Sequence, residues 1–124
     1  MSREEQTYAI RFSRRARLDL DEAHVRLADY TDADHANSWY NGFLDALAAL
    51  ADNPNRHPVA SETRFFQGTV YVYLYRLTAR SAGSHVFFAI IDDTADAPYV
   101  YIIHIRHASR KPMTRAEARI IEAV

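Results

Sequence analysis

The arrangement of apolar and polar positions predicts one strand and two helices in the first half of the chain. Apolar side chains alternate with others over residues 7–12, as in a half-buried strand. Ser13 then offers a hydroxyl that can cap a helix. The apolar face of that helix consists of Ala16, Leu20, Ala23 and Leu27. The sequence therefore predicts a helix that packs its apolar face on a core.

A second helix is predicted to start near Thr31 or Asp32 and to end at Asn53 and Pro54, because proline offers no amide hydrogen. Thr31 and an acidic residue three positions later resemble a capping box. Since few residues separate the two helices, we expect an antiparallel hairpin. Gly42 lies inside the second helix, where it favours a close helix crossing.

After Gly68 the pattern of side chains again repeats every two residues, which predicts three more strands, over residues 69–77, 85–91 and 99–106. Turns are expected over residues 79–84 and 92–98. In the first of these strands, Val70, Val72 and Leu74 share one face, and Tyr71, Tyr73 and Tyr75 share the other. After Pro112, Thr114 and Glu117 form a capping box for a short last helix. The predicted apolar edge of that helix is Ala116, Ile120, Ile121 and Val124.

This order of elements predicts an α+β fold in a single domain over residues 1–124, with a core of about residues 8–113 and a tail over 114–124. The N-terminal strand should lie at one edge of a mainly antiparallel four-stranded sheet, and the helical hairpin should pack on one face. The last strand should stand inside the sheet. A helix as short as the tail is marginal alone, so it needs its own sheet or a partner chain to lie on.

The composition excludes several classes of protein. Zero cysteines exclude disulfides, zinc fingers and thiol catalysis. No apolar stretch approaches the length of a membrane span, and the first residues carry no apolar signal region, so we expect a cytoplasmic protein. The glycines are too scattered for a phosphate-binding loop, and no cluster of histidines and carboxylates has metal-ligand spacing. We therefore expect no cofactor and no metal.

Candidate chemistry concentrates in residues 99–113, where an apolar strand ends in cations. Those cations are Arg106, His107, Arg110 and Lys111. All but one of the 15 basic residues are arginine, whose planar fork suits phosphate and carboxylate. An exposed row of cations at the end of a rigid strand suits anion binding.

Four segments, in this order and spacing, resemble the RelE/ParE superfamily of toxins from bacterial type II toxin–antitoxin modules, which includes plasmid stabilisation proteins. They are Y-A-I-R-F-S-R-R-A-R-L-D-L-D-E at the start, A-x-x-W-x-x-x-F-x-x-A-L-x-x-L with a following N-P, H-P-V-A-S-E, and V-Y-I-I-H-I-R-H-A-S-R-K-P. The resemblance implies a growth-inhibiting toxin, neutralised by a cognate antitoxin in a hetero-oligomer. ParE-like members act on DNA gyrase, whereas RelE-like members cut messenger RNA on the ribosome without a metal.

The nuclease pattern transfers poorly to this sequence. Nuclease members often carry Y-R in the middle strand, where this chain has Ser84 and His85, and a tyrosine after the last strand, where this chain has Ala108. These departures favour gyrase as the target. The alternatives are a ribosome-dependent nuclease and a non-toxic member that is kept as an antitoxin-binding protein.

If the protein is a nuclease, it needs a base, an acid and a cation that stabilises the phosphorane. The candidates are Arg76, His85, Arg106 and His107. Alternation puts His104 and Arg106 on one face of the last strand, and Ile103, Ile105 and His107 on the other. His104 is expected to be a satisfied core histidine. Arg106 and His107 then share a site only if the strand bends.

The same region can instead bind a partner. Arg106, Arg110 and Lys111 are candidates for contact with an acidic antitoxin or with the target. Tyr71, Tyr73 and Tyr75 can stack on bases, cover the open face of the sheet, or receive the tail or the antitoxin.

Overall fold

The computed structural model describes residues 8–78, 80–81, 83–92 and 97–123. Its helices are α1 (Arg14–Tyr30), α2 (Ala33–Ala49) and α3 (Arg115–Ala123), and its strands are β1 (Ala9–Phe12), β2 (Tyr71–Tyr75), β3 (Ser84–Ile91) and β4 (Tyr99–His107). Two 3-10 turns, Pro54–Arg56 and Ser61–Phe65, precede β2. The predicted α+β fold is confirmed. Thr7, Val124 and parts of both predicted turns (79, 82 and 93–96) lie outside the described residues.

The four strands form one mixed sheet in the order β1-β4-β3-β2. β1 runs parallel to β4, whereas β3 is antiparallel to both of its neighbours. The helical hairpin separates β1 from the other strands in sequence and leaves β1 at an edge, as predicted. The run of apolar residues in β4 is explained by its place inside the sheet, between β1 and β3.

The sheet lies between two apolar layers. On one face, the helical hairpin buries side chains that include Leu20, Phe43 and Leu47 against Val100 and Ile102. On the other face, the tail closes a smaller cluster of Ala60, Val70, Phe87, Met113, Ala118 and Ile121. The tail therefore lies on its own sheet. Its predicted apolar edge is wrong in part, because Ile120 is 58% exposed and Ala118 takes the buried position.

The helix caps explain where the hairpin bends. Ser13 caps α1 as predicted, and its hydroxyl accepts a hydrogen bond from the Ala16 amide at 3.0 Å. The predicted Thr31 cap of α2 is wrong: Asp32 is the cap, and its carboxylate accepts from the His35 amide at 2.7 Å. Thr31 instead ends α1, where its hydroxyl donates to the Leu27 carbonyl. Asp32, one residue later, is the better cap for α2 because its carboxylate is a stronger hydrogen-bond acceptor than a hydroxyl.

Gly42 marks a close approach between α2 and the sheet and not the predicted helix crossing. A Cβ at Gly42 would lie 2.6 Å from the Tyr75 hydroxyl oxygen. The Tyr75 ring packs on Phe43 at 4.7 Å, and Tyr75 is only 6% exposed. Glycine at this position lets a tyrosine reach the helix surface. Among the described residues, no helix has the length and apolar character that crossing a membrane requires.

Candidate functional site

A β-bulge in β4 determines which side chains the end of this strand presents to each face. Phe88 pairs with Ile102 and Phe87 pairs with His104, so Ile103 has no partner in β3. Ile102 and Ile105 pack on the hairpin side, while Ile103 packs with the tail. The predicted grouping of Ile103 with Ile105 is therefore wrong. After the bulge, alternation resumes.

Residues of the β1–α1 corner hold the bulge in place. The Ser13 amide donates to the Ile102 carbonyl at 2.8 Å, and the Ser13 hydroxyl donates to the Ile103 carbonyl at 2.8 Å. Asp19 Oδ2 accepts from the Ile105 amide at 3.1 Å and lies 2.6 Å from His104 Nδ1. These contacts satisfy backbone groups of β4 at and beyond the point where its pairing with β1 ends at Phe12 and Ile102.

His104 is a satisfied core histidine, as predicted. It is 1% exposed and stacks on Phe87 with 6.1 Å between ring centroids. Its Nε2 lies 3.5 Å from Arg106 Nη1. Because a guanidinium can only donate, Nε2 accepts and Nδ1 carries the proton toward Asp19.

Arg106 is enclosed, so the expectation that it belongs to an exposed row of cations is wrong, whereas His107, Arg110 and Lys111 are exposed. Its side chain is 4% exposed. Nη2 donates to the Lys111 carbonyl at 2.9 Å and to Glu117 Oε2 at 3.1 Å. Glu117 also lies 3.4 Å from Arg110 Nη2. The Glu117 carboxylate at the start of α3 thus neutralises the charge of Arg106 at the end of β4.

Glu117 has a lowered pKa. Partial burial acts to raise it, but the hydrogen bond from the Thr114 amide, the hydrogen bond from Arg106 and the charges of Arg106 and Arg110 outweigh burial. The predicted capping box of Thr114 and Glu117 is confirmed, since the Glu117 amide donates to the Thr114 hydroxyl at 3.1 Å. Glu117 is thereby both a helix cap and the partner of a buried arginine.

The structure does not bring the four candidate catalytic residues together. His85 pairs with Arg106 across β3 and β4, and its ring meets the edge of Phe87 on the tail side. His107 pairs with Ser84 one position along, so its side chain points to the hairpin side. Arg76 follows β2 and is exposed, with its stem beside Gly83.

Sequence reasoning missed the contact between His107 and Ser109. The Ser109 amide donates to His107 Nδ1 at 3.1 Å, and the Ser109 hydroxyl oxygen lies 2.6 Å from the same nitrogen. Because a backbone amide can only donate, Nδ1 accepts and the ring proton of the neutral imidazole sits on Nε2. The sequence signal for this contact was the spacing of two residues between His107 and Ser109, within a turn.

A groove of 460 Å³ opens between the helical hairpin and the end of β4. Its apolar lining includes Ala23, Leu27, Trp39, Leu77 and Ile105. Its charged lining includes Asp19, Glu22, Arg26, Arg106, His107 and Arg110, so two of the candidate catalytic residues, Arg106 and His107, line the same groove. An apolar floor with charges of both signs at the rim suits a segment of another protein better than a uniformly anionic ligand. We call this feature the hairpin groove.

The three tyrosines of β2 face the helical hairpin and not the open side of the sheet. Tyr71 stacks on Phe88 at 5.5 Å, and Tyr73 meets the His57 ring at 5.2 Å. Tyr75 is buried against α2, so it offers no surface to a partner or a base. Burial raises the pKa of Tyr75, and Tyr73 and Asp45 raise it further. Lys111 is exposed, as a binding residue requires.

Within the part of the chain that the structure describes, no group of three or more metal-ligating side chains comes together.

Comparisons with known proteins agree with this architecture. The sequence matches the family described as ParE toxin of the type II toxin–antitoxin system, parDE, over residues 10–112. A solved structure titled "Chromosomal ParDE TA system from P. aeruginosa" has a similar fold with a TM-score of 0.61. At 15% sequence identity, the similarity covers 83% of this chain and 98% of that chain. No curated protein sequence gives a significant match. The chain belongs to the ParE toxin family of type II toxin–antitoxin systems, within the RelE/ParE superfamily.

Proposed function

We propose that this protein is a toxin that inhibits bacterial growth by acting on DNA gyrase in the cytoplasm, and that a cognate antitoxin neutralises it. One observation supports gyrase over messenger RNA: the two histidines that RNA cleavage could use, His85 and His107, lie on opposite faces of the sheet. Membership of the ParE family is consistent with this choice.

Cleavage at a 2′-hydroxyl needs an acid, a base and a cation around one phosphate. Arg106, the best-placed cation, is enclosed and already paired with Glu117. His85 lies on the tail side of the sheet, whereas His107 lies on the hairpin side and lines the hairpin groove together with Arg106. One phosphate cannot contact both histidines through the sheet. A toxin that acts through surface contacts with a protein target needs no such assembly.

The hairpin groove supports neutralisation by a protein partner. Trp39 and Ile105 supply apolar lining, and Arg26 and Arg110 lie beside them. Apolar side chains of an antitoxin segment can occupy the floor while its carboxylates meet the arginines. Charge complementarity of this kind increases the rate of association and fixes the register of the segment.

The proposal is tested with purified protein in two reactions. Added to gyrase and plasmid DNA, the toxin should block supercoiling or trap cleaved DNA, and the antitoxin should reverse this. Added to a translation reaction, it should leave messenger RNA intact. Ribosome-dependent cuts in the message would support the nuclease alternative and overturn the gyrase assignment. Harmless expression together with tight antitoxin binding would identify a non-toxic member.

A pair of variants tests the hairpin groove separately. Arg26→Glu changes a residue of the groove, while Arg56→Glu makes the same change of charge at an exposed site elsewhere. We expect the first to weaken antitoxin binding by about tenfold and the second by less than about twofold. Equal effects would show that the groove does not hold the antitoxin.

A further inference from the structure

Five exposed cations surround the first two turns of α3. They are Arg64, Arg110, Lys111, Arg115 and Arg119, which we call the α3 cationic surface. Arg110 contacts Glu117, which already neutralises Arg106. Among the described residues, Arg64, Arg115 and Arg119 have no carboxylate within 4.0 Å. In the described part of the chain, these three arginines therefore carry positive charge that no ion pair balances.

Two contacts hold these charges close together. The guanidinium carbons of Arg64 and Arg115 lie 4.8 Å and 5.4 Å from the centroid of the Phe65 ring. Arg119 follows Arg115 by four residues, so both lie on the same side of α3. Like charges at this spacing destabilise a helix, and the helix dipole disfavours a cation at its first residue, where Arg115 lies. An anionic ligand would offset both costs.

We propose that the α3 cationic surface binds the phosphate backbone of duplex DNA. In the cell this would be the DNA that gyrase holds, a statement that rests on the proposed function. Protein interfaces usually have an apolar centre. The hairpin groove has such a centre. Among the described residues of α3, by contrast, Ile120 is the one large apolar side chain that is exposed. Arginine forks match phosphate oxygens without any apolar contact. The two surfaces share Arg110 but otherwise suit two different classes of partner.

The test measures binding of the purified toxin to a fluorescent DNA duplex of about 20 base pairs and random sequence, at several salt concentrations. The variant Arg64→Ala/Arg115→Ala/Arg119→Ala removes the unbalanced charges. The control Arg14→Ala/Arg17→Ala/Arg56→Ala removes the same charge from exposed sites elsewhere. We expect the first variant to bind about tenfold or more weakly and to reduce the slope of log K against log salt by about 3. The control should stay within about twofold of the wild type.

Absence of duplex binding at low salt, or equal losses in both variants, would overturn the proposal. Unchanged DNA affinity with weakened antitoxin binding would show that α3 docks a protein instead. The gyrase reaction separates the two hypotheses. If the toxin binds DNA through this surface but does not affect gyrase, the proposed function fails and the DNA site stands. If the triple variant inhibits gyrase as strongly as the wild type, α3 does not contact the DNA that gyrase holds.

Discussion

Arg106 at the end of β4 and Glu117 in the first turn of α3 are joined by a contact of 3.1 Å between Nη2 and Oε2, and this pair fastens the C-terminal helix to the sheet. The arginine side chain is 4% exposed and the glutamate side chain 32%. A nine-residue helix has little stability of its own, so its position depends on such contacts.

Glu117→Gln should destabilise the protein, because it leaves the buried guanidinium of Arg106 without a charged partner. We expect a loss of about 1–3 kcal/mol in the free energy of unfolding, since partial exposure of Glu117 reduces the cost of a broken buried pair. Urea denaturation measures the change. Glu122→Gln is the matched control, because Glu122 is exposed and, among the described residues, accepts from the Gln67 amide alone. Equal losses in the two variants would contradict a special role for Glu117.

Stability should fall at acid pH because of the same carboxylate. The pKa of Glu117 lies below its ordinary value of 4.5 in the folded protein. The unfolded chain therefore takes up the proton first as the pH falls, so the stabilisation is fully present above the unfolded pKa and is lost as the pH falls through the folded pKa. The difference in urea midpoint between the wild type and Glu117→Gln should shrink below pH 4.5. A difference that is independent of pH would refute this.

A second pH effect should come from His57, whose ring contacts Tyr73 and Phe88. Burial, and then the charge of Arg56, lower its pKa from 6.5. Above 6.5 the ring is neutral in both states, and as the pH falls below 6.5 the unfolded chain binds the proton first, which destabilises the fold. His57→Phe should remove this loss between about pH 7.5 and 5.5, whereas His35→Ala should retain it. An NMR titration midpoint for His57 at or above 6.5 would contradict the prediction.

Ser13→Ala should cost about 1–2 kcal/mol of unfolding free energy, because one buried hydroxyl caps α1 and also donates to the bulged strand at Ile103. Thermal or urea unfolding measures it. The control Ser61→Ala removes an exposed hydroxyl that donates to Glu62 and, within the part of the chain that the structure describes, to no other group. It should change stability by less than about 0.5 kcal/mol. A loss for Ser13→Ala no larger than that of the control would show that the bulge does not depend on this hydroxyl.

Local signals in the sequence were sufficient for much of the fold. The long apolar run of β4 predicted a strand inside the sheet, and Ser13 and the pair of Thr114 and Glu117 predicted helix starts that the structure confirms. These features depend on neighbours in sequence, where period and capping chemistry apply directly.

The site was harder to predict because it depends on contacts across the fold. The bulge at Ile103 leaves no mark in an unbroken apolar run, so alternation misplaced that residue. Arg106 looked exposed because its partner Glu117 stands eleven residues later, beyond a turn. Alternation correctly grouped Tyr71, Tyr73 and Tyr75, but it could not tell which layer covers their face.

Gly42→Ala should fail to stabilise α2, although alanine normally stabilises the interior of a helix by about 1 kcal/mol relative to glycine. The new methyl group would lie 2.6 Å from the Tyr75 hydroxyl oxygen, and the buried ring has little room to move. Tyr75→Phe removes that oxygen. The double variant should therefore have a higher unfolding free energy than Tyr75→Phe alone, by the amount that alanine normally adds to a helix. A double-mutant cycle of unfolding free energies should give a coupling of about 1–3 kcal/mol. Additive effects would mean that the ring shifts freely and that Gly42 has no steric role.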